Sequence, residues 1–240
     1  MARKKGKGGG KRKRSQQRAQ YDELDKYPVI PPHAFARIVR DKQTLNILYQ
    51  IIEPPMTKKE QEQREEIMDI FIRSLTANIE EIDADPDAYL RTALDKVIKS
   101  YGMKINKKSK SKMFYYLRRD LIGYGKMDMM MHDINVEDIS LDGTNVPIFA
   151  YHRKFESVET TCVWETDAEL ESYVIKLAQR CGKHISVAEP LLDATLMDGS
   201  RIVMKLGREI STRGSAFCIR RFKDDPFSPA DIVAFRTMSS

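Results

Sequence analysis

The 240-residue chain lacks most of the features that fix a function at first reading. It has no G-x-x-x-x-G-K-[ST] loop, and so no phosphate cradle of that kind. No apolar run approaches the ~20 residues needed to span a bilayer. The basic opening residues are followed by no apolar stretch, so a secretory signal is not expected. The three cysteines, Cys162, Cys181 and Cys218, are far apart and outside metal-ligand spacing, which predicts reduced, buried thiols. His33, His132, His152 and His184 neither pair at i, i+4 nor stand beside a cysteine, so no metal site is expected. The 41% hydrophobic content is enough for a packed core, in one large domain or two small ones.

What is plentiful is charge, unevenly placed. Lys and Arg number 41 against 35 Asp and Glu. Residues 1–18, MARKKGKGGGKRKRSQQR, hold nine of the bases and no acid; without them 32 bases face 35 acids. The positive excess therefore belongs to a tail. A Gly-rich basic block has too little apolar surface to order itself, so residues 1–20 are expected to form a disordered basic tail. Three roles are open to it: a solubilising terminus, an arm against anionic lipid, or a salt-sensitive contact with nucleic acid. It has no interleaved aromatics on which single-stranded bases would stack.

Residues 21–125 read as mainly helical. The segment 41–52, DKQTLNILYQII, suits either a short strand or a helix, and Glu53-Pro54-Pro55 ends it. Thr57 and Glu60 have capping-box spacing, and Ile67, Ile70, Phe71 and Leu75 continue at a helical period. A second helix starts at Asp85-Pro86, with Leu90, Ala93, Val97 and Ile98 as its stripe. A basic loop, KINKKSKSK, leads to a third helix carrying Met113, Tyr116, Leu117 and Leu121, which Gly123-Tyr124-Gly125 closes through the freedom of glycine at positive φ. Lys107, Lys108, Lys110 and Lys112 read as a solvated connection, with acidic lipid or protein as the alternative contact.

From Met127 onward the period changes. EDISL at 137–141 reads as a strand, with Asp142-Gly143 as turn residues. PIFAYHRK at 147–154 alternates, placing Ile148, Ala150 and His152 on one face and Phe149, Tyr151 and Arg153 on the other. ETTCVW at 159–164 is rich in strand formers. Thr166 and Glu169 make a second capping box, and Leu170, Tyr173, Val174, Leu177 and Ala178 form a stripe that packs a helix on a sheet, ended by Gly182. Met127, Met129, Met130 and Met131 read as core filler.

The stretch 191–222 reads as a hairpin turning at Met197-Asp198-Gly199-Ser200, followed by a third strand, Ser215 to Phe222. Arg201, Arg208, Arg213, Arg220 and Arg221 lie on or beside these strands. A guanidinium fork matches phosphate, so these are candidate anion ligands for a site whose main cradle lies elsewhere. A period of two puts Phe217, Ile219 and Arg221 on one face and Ala216, Cys218 and Arg220 on the other, so Arg220 and Arg221 cannot share a site without a bulge. The small neighbours of Arg220 suggest a closely packed face, and Arg221 is expected to emerge at a rim. The plainer reading pairs the arginines with Asp193, Asp198 or Glu209. KDDPFSPADIV at 223–233 reads as an extended connector, so the sequence is expected to continue into another domain.

Several stretches together carry a family likeness. They are YYLRRDLIGYGKMD (115–128), EDISLDG (137–143), PIFAYHRKF (147–155), LAQRCGKHISVAEPLLDATLMDGSRI (177–202), STRGSAFCIRRF (211–222) and DPFSPADIV (225–233). Through them the chain resembles the N-terminal domain of the type II/type IV secretion ATPase family, in the archaeal branch that drives pili, the archaeal flagellum and related secretion. YQIIEPPMTKKE (49–60) resembles the helical extension ahead of that domain. The likeness covers most of the chain and leaves the basic tail outside.

The resemblance implies an α+β fold, with a mainly helical N-terminal region (21–125) and a PAS-like α/β domain with a mainly antiparallel sheet (126–224). Residues 225–240 would then be a linker toward a RecA-like domain holding the P-loop. It implies a cytoplasmic homohexamer at the inner face of the membrane, binding ATP and Mg in the full-length protein and working against an inner-membrane platform protein. This stretch alone is expected to be inactive and to bind no nucleotide tightly. The family's phosphate-contacting arginines sit in G-[ES]-R-[IV] and [ST]-I-R segments, matched here by Gly199-Ser200-Arg201-Ile202 and Cys218-Ile219-Arg220. Arg201 and Arg220 are thus the expected catalytic and cofactor-binding residues, with Arg213 and Arg221 as weaker candidates and Arg208 kept as an ion pair. Cys218 departs from the pattern, standing where a hydroxyl residue is usual. The alternative is a non-enzymatic adaptor whose tail binds anionic lipid or nucleic acid.

Overall fold

The computed structural model describes residues 20–74, 85–209 and 211–222. Those residues form a mixed α/β fold with nine strands, mostly antiparallel, and five α-helices. The chain divides into two compact units: Met1–Ile134 with Val158–Cys162, and Asn135–Ser157 with Val163–Ser240. The expected basic tail (apart from Gln20) and the 225–240 linker lie outside the described residues.

The first unit opens with strands, where residues 21–40 were expected to be mainly helical and 41–52 suited either a strand or a helix. β1 (Tyr21–Ile30), β2 (Ala34–Asp41) and β3 (Ile47–Ile52) form an antiparallel meander. The cause is clearest in β2, where Ala34, Ala36 and Ile38 alternate into the core without any exposure. In β1 the period of two is broken by register shifts between Glu23 and Asp25 and between Pro28 and Ile30. β6 (Glu156–Val163) adds to β3 in parallel, with Tyr49 opposite Thr160. The hydroxyls of Tyr27 and Tyr49 both donate, at 2.7 Å, to one carboxylate oxygen of buried Asp133.

Three helices follow the meander. α1 (Lys58–Ser74) opens on its capping box: Glu60 N–H donates to Thr57 Oγ1 at 3.2 Å, and Thr57 N–H donates to Glu60 Oε2 at 2.7 Å. α2 (Pro86–Ser100) is capped by Asp85, whose Oδ1 accepts from Ala88 N–H at 2.9 Å. α3 (Lys107–Leu117) begins inside the expected basic loop, because Asn106 Oδ1 accepts from Ser109 N–H at 2.8 Å and caps it. Its lysines are helical, and two of them are paired, Lys110 with Asp95 and Lys112 with Glu60. Ile67, Phe71, Leu90, Leu94, Met113 and Leu117 make the core between the three helices.

After a π-turn at Arg118–Ile122, Gly123 serves a different purpose from the one expected of it. Its φ is −76°, open to any residue, but a Cβ there would stand 2.1 Å from Asp128 Oδ1 and 2.9 Å from the Arg119 carbonyl oxygen. Space, not backbone freedom, demands glycine. The short α4 (Asp128–His132) then buries Met129, Met130 and Met131 as core filler, with Met127 just ahead of it.

In the second unit, β4 (Val136–Leu141), β5 (Pro147–His152), β7 (Leu191–Thr195), β8 (Arg201–Lys205) and β9 (Ala216–Arg220) pair antiparallel in the order β5-β4-β9-β8-β7. One face is core, with Ile139, Ile148, Ile202, Met204 and Ile219 at 0% exposure. Onto it packs α5 (Asp167–Arg180), whose cap Thr166 accepts from Glu169 N–H at 3.3 Å and whose stripe Leu170, Val174, Leu177 and Ala178 is buried. Trp164 sits between them, 4.8 Å from the Tyr173 ring and edge-on to Phe217 at 5.9 Å. The opposite face is open: Asp193, Arg201, Val203, Lys205, Cys218 and Arg220 are all exposed.

Two outcomes follow for the first unit. Leu94→Ala, emptying a site of 0% exposure, is expected to cost about 2–5 kcal/mol in urea unfolding. The Ser109 hydroxyl, then the Thr57 N–H and the Lys112 ammonium, hold the Glu60 carboxyl at about 2 against its ordinary 4.5. A carboxylate depressed by folding stabilises above its unfolded pKa, and that contribution is lost as pH falls through the folded one. Acid unfolding followed by circular dichroism should therefore show stability falling between pH 4.5 and about 2, with a flatter limb in Glu60→Gln.

Candidate functional site

The hairpin turn and the end of β9 are locked together by one small side chain. Ser200, 1% exposed, donates its hydroxyl to Asp198 Oδ2 at 2.9 Å and accepts Phe222 N–H at 3.0 Å. Asp198 Oδ1 accepts Ser200 N–H at 3.1 Å, which shapes the turn itself. Gly199 takes a φ of 83° there, a left-handed conformation that favours glycine. The residues just after Ser200 and just before Phe222 are thereby fixed in place. Arg201 opens β8, Arg220 closes β9, and the two are direct cross-strand partners.

Both guanidinium groups project from the open face. Arg201 Nη2 lies 3.3 Å from Asp193 Oδ2 and Arg220 Nε 3.2 Å from Asp138 Oδ1, with arginine side chains 73% and 81% exposed. Asp193, Arg201, Val203, Cys218 and Arg220 line a shallow depression of about 220 Å³. Like charges directly opposite each other repel; here each is offset by an acid on the flanking strand, β7 for Arg201 and β4 for Arg220. Partial burial first, then the Asp138 carboxylate, pushes the Cys218 thiol, two residues before Arg220 and opposite Val203, above its ordinary value. Two exposed, weakly paired guanidiniums side by side suit an anion with several oxygens, which would replace the carboxylates as acceptors.

Four expectations change at this sheet. Cys218 is exposed, not a buried thiol, and Cys162 and Cys181 are only half-buried. The face of Arg220 is open to water at Cys218 and at Arg220 itself rather than closely packed, and only Ala216, at the start of the strand, is covered. Arg221 does not emerge at a rim: it is half-buried, its Nη1 donating to the Val136 carbonyl at 2.9 Å and its N–H to the Glu137 carbonyl at 2.8 Å. Arg213 lies in the turn before β9, at the far end of that strand from Arg220, with its carbonyl accepting from Thr144 N–H at 3.1 Å. The structure thus brings Arg201 and Arg220 together and leaves Arg213 and Arg221 apart from them.

Arg208 pairs with Asp167 at 2.6 Å. The Thr144 hydroxyl, ahead of Arg208, holds that carboxyl below the usual range. Asp138 and Val203 were missed by sequence reasoning. Cross-strand register is the signal that finds them, Asp138 standing opposite Arg220 and Val203 opposite Cys218. Among the described residues no group of three or more His, Cys, Asp or Glu is placed to hold a metal ion.

No family model matches the chain. The uncharacterized protein MJ1288 of Methanocaldococcus jannaschii is 40% identical over 164 residues, covering 68% of this chain and 65% of that protein. The uncharacterized protein MJ0900 of the same organism is 31% identical over 219 residues, covering 90% of this chain and 38% of that protein. The chain therefore spans less than two thirds of the length of either relative. Among solved structures, the VirB11 ATPase of the Brucella suis type IV secretion system, in complex with sulphate, aligns at a TM-score of 0.39 and 15% identity over 51% of this chain and 35% of that one.

The two arginines make little structural contribution, because exposed ion pairs are worth ~1 kcal/mol or less. Arg201→Gln and Arg220→Gln are each expected to unfold within about 1 kcal/mol of the parent, as thermal melts would measure, so any functional loss in them reports on the site and not on the fold.

Proposed function

We propose that this chain is the N-terminal part of an archaeal secretion or type IV filament-assembly ATPase. In this reading Arg201 and Arg220 bring positive charge to the phosphates of an ATP held by a downstream RecA-like domain. The observation that carries it is the cross-strand pairing of Arg201 with Arg220 on an open face. The two segments whose arginines resemble the family's phosphate contacts, Gly199-Ser200-Arg201-Ile202 and Cys218-Ile219-Arg220, are far apart in sequence, yet their arginines are neighbours.

Phosphoryl transfer asks a protein mainly for positioning and for stabilising negative charge. ATP and Mg would be held by the P-loop domain, and the part played by this chain is the charge it delivers. Before nucleotide arrives, Asp193 and Asp138 hold the two guanidiniums in place at 3.3 and 3.2 Å. A triphosphate offers several charged oxygens to both forks at once and so competes with the two carboxylates for them. An arginine supplied by a mobile domain acts only when the cleft is shut, so charge neutralisation and closure become one event. The sheet unit takes the role of the family's PAS-like domain, within a homohexamer that works against a platform protein at the cytoplasmic face of the membrane. Among the described residues no helix is long and apolar enough to cross a membrane.

The test uses the protein extended through its P-loop domain. Arg201→Gln or Arg220→Gln is expected to lower ATP turnover by ~10³-fold or more, while the stretch ending at Ser240 hydrolyses nothing. Near-normal turnover in both variants overturns the assignment and leaves the adaptor reading.

A further inference from the structure

The three helices of the first unit bring lysines together at one end. Glu60, in the first turn of α1, accepts the Ser109 hydroxyl at 2.6 Å and the Lys112 ammonium at 3.0 Å, so the N-termini of α1 and α3 lie side by side. α2 reaches the same end through a tight connection in which Met103 N–H donates to the Ile98 carbonyl at 3.0 Å. Lys58 and Lys59 on α1, Lys99 on α2, Lys104 in the connection, and Lys107 and Lys108 on α3 are exposed there. Two nearby acids are already engaged: Glu60 is buried against Lys112, and Asp95 holds Lys110. Residues 96–117 contain seven lysines, no arginine and no acid.

This charge opposes what the helices themselves favour. Cations in a first turn face the positive end of the helix dipole, and α3 has no acid in its first turn to offset them. We propose that this tip docks on the surface of an anionic lipid bilayer. Lysine is a hydrated point charge without a fork, suited to diffuse attraction toward a sheet of negative charge and not to oriented recognition of one phosphate. Tyr101, 60% exposed, stands among the lysines at the end of α2, where an aromatic ring reaches headgroup level. A single-stranded nucleic acid would call for successive aromatic platforms, and this tip offers one exposed ring. In sequence, residues 1–18 hold nine further cations, charges of the same sign that would add to the attraction. The inference is independent of the arginine face, which lies in the other unit.

The test is co-sedimentation of the intact chain with vesicles of phosphatidylserine and phosphatidylcholine, against vesicles of phosphatidylcholine alone. Binding is expected only to the anionic vesicles and should weaken with added salt. The triple variant Lys104→Gln, Lys107→Gln, Lys108→Gln replaces exposed side chains only, and circular dichroism checks that it folds. Its partition coefficient should fall about 100-fold, at ~5-fold per lysine. Deleting residues 2–18 should weaken binding without abolishing it. An unchanged coefficient in the triple variant, equal binding to neutral vesicles, loss of all binding with the tail alone, or preference for a single-stranded oligonucleotide over anionic vesicles would each overturn the proposal.

Discussion

Arg201 stands opposite Arg220 because β8 and β9 pair in a single register, and that register is held by the inner face and by the turn. On the inner side Ile202 meets Ile219 and Met204 meets Phe217, all of them buried. At the turn, Ser200 bridges Asp198 to the backbone beyond β9. A slip by one residue would turn every side chain over. It would carry Arg201 into the apolar layer under α5, where a guanidinium without partners costs several kcal/mol, and would expose isoleucine and methionine to water. The chemistry of the open face is thus fixed by the packing of the closed one.

That same arrangement explains why the arginines are held loosely. A sheet covered on one side leaves its other side to polar groups that owe little to the core. Asp193 and Asp138 moderate the repulsion between two opposed cations without burying them. Arg221, one residue further on, shows the contrast. It falls on the covered side, donates from Nη1 to the carbonyl of Val136, and has become part of the wall.

Local signals were legible in the sequence and distant ones were not. The caps at Thr57, Asp85 and Thr166 each sit within four residues of the groups they satisfy, and the three helices they start are where the pattern put them. The alternation of β5 and the hairpin of β7 and β8 could be read for the same reason. The first two strands of the meander could not, although 41–52 was open to a strand: the charged β1 is interrupted by two register shifts, and only pairing with β2 makes it a strand at all. In α3 a run of lysines outweighed the Asn106 cap, since charge runs usually mark connections. Within the candidate site, Asp193 was among the carboxylates the sequence offered as partners for the arginines, while Asp138 came only from register. The openness of their face was misread because small neighbours are found on packed and unpacked surfaces alike.

β6 threads the two units in an unusual way, its middle residues belonging with the first and its ends with the second. No single scission of the polypeptide therefore releases either half intact. A fragment starting at residue 135 would still carry Val158 and Thr160, 1% and 4% exposed in the whole chain, on a strand deprived of β3. Such an orphaned edge recruits other molecules. Anyone dissecting this protein would need to supply the β1–β3 meander in trans, or replace 158–162 with a soluble bridge, before the remainder could stand alone.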